Sequence, residues 1–217
     1  MLSTTVQQDA LSGDPLAELG VLADAVTGCR QCQIAGFLER ANPIRPTVLP
    51  GARVLLVGQA PGPVTDRRGY HFAGPAGRVL EGWFDRAGFP PGYFRQAVYL
   101  TSLTRCFPGK AALGNGDRPP SRAEMSLCRP FLDQELALVQ PRLVILVGKM
   151  AVDAFLPPAP LTATVGRVHG RDGRLLLPLP HASGVSRWLN DPTNRALLDQ
   201  ALAELARLRE SGLLLAT

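Results

Sequence analysis

Short, continuously apolar runs alternate along the chain with longer stretches in which apolar residues recur every three or four positions. Four runs rich in Val, Leu and Ile, Arg53 to Val57, Ala97 to Thr101, Arg142 to Val147 and Leu175 to Leu179, each end in a Gly, Pro or small polar residue. Their length and composition predict buried strands. Helical patterns lie around them: an amphipathic stretch from about Pro15 to Ala25, then Gly77 to Gly88, Ser121 to Val139, Lys149 to Phe155 and about Thr193 to Leu208. Ser121 followed by Glu124 is a capping-box signature for the start of the longest middle helix. Residues 1–13 are small, polar and aperiodic and predict a mobile leader before a single domain over 14–217. Residues 107–120 and 157–174 are rich in Pro and Gly and predict loops, the second holding His169 in a hairpin-like turn.

Strand and helix in alternation imply an α/β fold: a parallel sheet covered by helices on both faces, with ligands beyond the carboxyl ends of the strands. Three segments with chemical potential follow strands directly: Gly58 to Gly62, Ser102 to Cys106, and His181 to Arg187. The sheet therefore brings three loops to one rim.

Composition narrows the partner. With 217 residues, 46% hydrophobic and 19% charged, the chain can build one sizeable core. A net charge of +5 favours a polyanion, nucleic acid first. No apolar run reaches the length of a membrane span, and the N-terminus MLSTTVQQDA lacks the basic-then-apolar order of a signal peptide, so a cytoplasmic location is expected. Thiols stay reduced there, and four cysteines then point to a metal rather than to disulfides.

Cys29 and Cys32 form a CxxC pair, while Cys106 and Cys128 stand alone far along the chain, one after a strand and one within a helix. Ligand count alone suits zinc and an iron-sulfur cluster equally. A zinc ribbon usually presents two compact CxxC knuckles, so the spacing leans toward a cluster. Arg30, Arg105 and Arg129 each adjoin a cysteine, as suits an anionic thiolate group.

Each rim motif is weak alone. Their order is not: CRQC, GQAPG, FAGPAG, LTSLTRC, SRAEMSLCRPFL, a Val-Ile-Leu-Val-Gly strand and an HxS loop together resemble the family-four iron-sulfur uracil-DNA glycosylases over roughly residues 29 to 195. The resemblance implies a three-layer α/β/α sandwich around a central four-stranded parallel sheet. It also implies a [4Fe-4S] cluster on Cys29, Cys32, Cys106 and Cys128 that orders a DNA-facing loop. By the same likeness Gly58, Gln59, Ala60, Pro61 and Gly62 face a flipped nucleotide and Phe72 stacks on its base. His181 contacts the base O2 beside Ser183. Gly184, Ser186 and Arg187 belong to a loop that enters the minor groove, with Arg187 as the wedge.

Three positions depart from the family's usual residues: Gln59 stands for Glu, Ser102 for Asn, and Ala182 for the Pro of HPS. Ser102 offers one short hydroxyl where Asn would read the uracil edge by paired hydrogen bonds. The Val185-Ser186-Arg187 run partly echoes the family-five HVSR element, whose owners are similar but accept a broader set of damaged bases. The expected activity is hydrolysis of the N-glycosidic bond of uracil or another deaminated base in DNA, by a monomer. His181 would face the developing base anion, and Asp66, the one acid in the first loop, would serve the sugar cation or the water. Lys110, Arg118 and Arg122 would meet phosphate. The alternative is an iron-sulfur protein of the same fold that grips DNA without cleaving it.

Overall fold

The computed structural model describes residues 13–113, 116–183 and 187–214. Nearly all of the expected leader lies outside that set, as do Gly184 and Ser186. The chain runs through α1 (Pro15–Gly28), α2 (Gln31–Ile34), β1 (Val54–Gly58), α3 (Pro63–Arg68), α4 (Pro75–Arg86), α5 (Tyr93–Gln96), β2 (Val98–Ser102), α6 (Arg122–Val139), β3 (Leu143–Val147), α7 (Lys149–Phe155), α8 (Leu161–Thr164), β4 (His169–Arg171), β5 (Arg174–Leu179), a 3-10 turn (Arg187–Asn190) and α9 (Pro192–Glu210).

The sheet order is β2-β1-β3-β5-β4, and the first four strands pair in parallel. The expectation of four strands needs one correction. A fifth, β4, pairs antiparallel with β5 at the edge, inside a segment that composition marks as loop. Asp172 and Gly173 both have positive φ (50° and 75°), the backbone that a two-residue hairpin turn demands, and this Asp-Gly step folds β4 back onto β5. His169, on β4, has its Nε2 3.2 Å from the Thr164 carbonyl oxygen.

Both sheet faces are covered, which is why β1, β2 and β3 are buried at every residue. Successive side chains point to opposite sides. Val54, Leu56, Ile145 and Leu177 pack with Leu80, Trp83 and Phe84 of α4 and Leu198, Leu202 and Leu205 of α9. Leu55, Val57, Val144 and Leu146 pack with Leu19 of α1, Leu132 and Leu136 of α6, and Val152 of α7. The result is the three-layer sandwich. The capping box forms as expected, with Ser121 Oγ accepting from Glu124 N and the Glu124 carboxylate from Ser121 N. No helix among the described residues is long and apolar enough to cross a membrane.

Candidate active site

A cleft of about 640 Å³ opens at the carboxyl ends of the parallel strands, where the three post-strand loops meet. Gly58, Gln59, Ala60, Pro61 and Gly62 after β1, Phe72 before α4, Ser102 at the end of β2, and His181 and Ser183 after β5 all line it. A wider, more open groove of about 1010 Å³ lies at the opposite ends of the strands, bordered by Arg53, Arg142 and Arg174, and receives none of these residues.

Phe72 is held in a strained backbone. Its φ of 55° is a conformation that a bulky side chain rarely adopts. Arg95 fixes it: Nη1 donates to the His71 carbonyl (2.8 Å), Nη2 to the Phe72 carbonyl (2.7 Å), and Nε to Glu81 (2.5 Å). A Cβ on Gly77 would sit 1.9 Å from the Phe72 oxygen, so only glycine lets α4 begin this close. The ring, half-buried and edge-on to Phe94 at 6.2 Å, offers an apolar wall to the cleft.

His181 Nδ1 lies 2.9 Å from Ser183 Oγ and accepts from Ser183 N at 3.3 Å. An accepting Nδ1 assigns the proton to Nε2. Burial holds the ring below the ordinary histidine pKa, so the neutral imidazole is the form present at pH 7. Gly148, at φ 87°, seats the ring; a Cβ there would come within 3.1 Å of His181 Cδ2.

Ser102 is buried, and its hydroxyl proton is committed to the Thr104 carbonyl at 2.6 Å, leaving its oxygen as an acceptor. Its own carbonyl accepts from Arg105 Nη1. Arg105 and Glu135, 1% and 0% exposed, pair at 2.7 Å, and Thr101 Oγ1 donates to the same Glu135 oxygen at 2.7 Å. This buried network fixes the end of β2 and the turn into Cys106. The sequence pattern gave no warning of it, because Glu135 reads as one more polar helix position.

The acid expected at the cleft is not the one that lines it. Asp66 does not line the cleft; Asn42 Nδ2 donates to its carbonyl (2.9 Å) and its Oδ1 (3.0 Å). Asp117 does line it, between Gly116 and Arg118. Arg118 also reaches the cleft, but its guanidinium grips Glu124 through two 2.7 Å bonds and the Phe37 carbonyl at 3.2 Å. Lys110, exposed, pairs with Asp117. Arg122 is exposed at the first turn of α6, and Arg187 is exposed at the start of the 3-10 turn.

The four cysteines are free thiols drawn from α1's C-terminus, α2, the turn after β2, and α6. Cys32, Cys106 and Cys128 are buried. Burial, reinforced by the neighbouring thiols, pushes Cys32 up to about 11 and Cys106 up to about 12. Burial raises Cys128 as well. No three His, Cys, Asp or Glu among the described residues are gathered closely enough to hold a metal ion. The Asn42 backbone N–H bonds Cys106, so Asn42 touches both the cysteines and α3.

A doubly covered parallel sheet with an aromatic-walled cleft at its strand ends defines an α/β protein of the three-layer sandwich class. Residues 46–206 match the family model of the uracil DNA glycosylase superfamily, and the chain belongs to that superfamily. It is similar to the Type-4 uracil-DNA glycosylase of Sulfurisphaera tokodaii, 27% identical over 128 residues that cover 59% of this chain and 53% of that protein. It is similar also to those of Pyrobaculum aerophilum (29% over 139 residues, 64% and 65%) and Thermotoga maritima (23% over 195 residues, 88% and 95%). The match thus spans about half of the first relative and just under two thirds of the second.

Proposed function

We propose that the protein is a DNA-repair glycosylase that hydrolyses the N-glycosidic bond of uracil, or another deaminated base, turned out of the DNA into the strand-end cleft, leaving an abasic site. The observation that carries this reading is His181, its Nδ1 engaged by Ser183, in the same cleft as Phe72. Turning a base out costs a few kcal/mol and is cheapest at a mismatch or lesion. Phe72 recovers part of that by stacking. Breaking the bond leaves negative charge on the base, and a preorganised donor there is worth roughly 10²- to 10³-fold. A neutral N–H donor meets that charge without itself ionising. The net positive charge of the chain and the exposed Arg187 favour phosphate and groove contact.

Cys29, Cys32, Cys106 and Cys128 would hold a [4Fe-4S] cluster. The donor set suits it in kind: four thiols and no disulfide, from the CxxC pair, the turn after β2 and α6. Bound there, the group would supply structural order, tying together the end of α1, α2, α6 and the turn after β2.

Gln59 lines the cleft with a neutral amide and favours one competing reading, a protein that binds a damaged base without cutting it. End-labelled oligonucleotides carrying U opposite G, U opposite A, single-stranded U or hypoxanthine, treated with protein and then alkali, separate the two. Strand breaks at the base that vanish with His181→Ala support the glycosylase. Intact strands with every substrate, in the presence of a gel shift, support the binding protein instead.

A further inference from the structure

Asp117 is the one carboxylate among the described residues lining the cleft, and nothing in the motif order singles it out. It sits at the base of a hairpin between Cys106 and α6. Ala111 N bonds the Gly116 carbonyl and Arg118 N the Gly109 carbonyl, both at 3.0 Å, and Lys110 and Asp117 face each other as a bridge pair. The next residue, Arg118, is clamped to Glu124, itself 3% exposed. Backbone on both sides of Asp117 is therefore fixed. Lys110 Nζ holds Oδ1 at 2.7 Å, while Oδ2 approaches the GQAPG turn, 3.8 Å from where a Cβ on Gly62 would stand.

An ion pair with a lysine 59% exposed contributes only about 0–1 kcal/mol, so stability alone gives little reason for the acid. A negative charge facing a DNA cleft also opposes binding of phosphate. We infer that Asp117 is a catalytic carboxylate of this cleft, serving the sugar cation and the attacking water in the reaction proposed above, on which this inference rests. The C1′–N bond breaks with its electron pair going to the base, and positive charge spreads over C1′ and the ring oxygen near Asp117. Water oxygen bonds C1′, its proton passes to Oδ2 and on to solvent, and the base anion beside His181 takes a proton back from solvent. Gln59, lining the same cleft, cannot accept that proton at its amide.

The test is single-turnover base release from a uracil oligonucleotide, with affinity measured separately by gel shift, for wild type, Asp117→Asn, Asp117→Ser and Lys110→Ala at matched iron content and melting temperature. The inference expects both Asp117 variants to slow the step by about 10²-fold or more while binding DNA as tightly as wild type or tighter. Lys110→Ala breaks the same ion pair but keeps the carboxylate, and should lose affinity rather than most of its rate. Gln59→Glu added to Asp117→Asn should restore part of the rate. Asp117 variants within threefold of wild type, or rate and affinity falling together in all three variants, would overturn the role while leaving the glycosylase standing. Wild type that releases no base overturns both.

Discussion

The ring of Phe72 occupies the space that a side chain at residue 58 would need: a Cβ on Gly58 would lie 2.8 Å from Phe72 Cζ. The ring cannot retreat, because Arg95 and Gly77 pin the backbone behind it. Gly58→Ala should therefore cost about 1–3 kcal/mol as an overpacked core position does, and weaken binding of substrate DNA as well. Gly77→Ala should cost more, since the clash there is with backbone. Thermal unfolding ranks the two, and melting temperatures within a degree of wild type would refute this account of the loop.

Arg105 and Glu135 are both fully enclosed, and removing one leaves the other charged in a dry interior. Arg105→Ala should cost about 3–5 kcal/mol. A paired Arg105→Met, Glu135→Leu replacement should cost much less, and a double-mutant cycle measures the difference. Equal losses in the single and paired variants would contradict it.

His71 is buried, its Nε2 has no hydrogen-bond partner among the described residues, and burial first, then the Arg105 charge, lowers it to about 3. The unfolded chain takes up a proton near pH 6.5 that the folded chain refuses until about 3, so stability falls as pH drops through that window. The slope is on the order of 1.4 kcal/mol per pH unit for this residue, with His181 acting in the same direction. His71→Gln should flatten the upper part of the window in urea midpoints measured against pH. Parallel curves for variant and wild type would exclude it.

What the sequence reveals here follows from what repeats locally. Apolar runs placed β1, β2, β3 and β5 within a residue or two, and the order of glycine loops, cysteines and histidine led to the right superfamily. Edge strand β4 escaped because its three residues, His169 to Arg171, carry no apolar pattern; the Asp-Gly turn beside it was the available signal. The short helix α3 hid behind its opening proline. Asp117 and Asp66 could not be told apart by spacing, since which acid faces the cleft depends on a hairpin closed by long-range bonds and on Asn42 reaching across from an irregular segment.

Ser102 has one acceptor oxygen to offer the ligand, where an asparagine would present both a donor and an acceptor. Ser102→Asn should sharpen preference for uracil over hypoxanthine by about 1–3 kcal/mol, which is about fivefold to 150-fold in relative kcat/KM. An unchanged ratio would mean that residue 102 does not read the base.

The proposed reaction severs a base from its sugar in this cleft. Mass spectrometry of a duplex bearing a single U opposite G, incubated with stoichiometric protein, reads that event directly. A glycosylase leaves free uracil in solution and a strand lighter by the base with its phosphodiester backbone intact, and both products should be lost with His181→Ala. Retention of the full-mass strand bound to protein, with no free base after prolonged incubation, would contradict it.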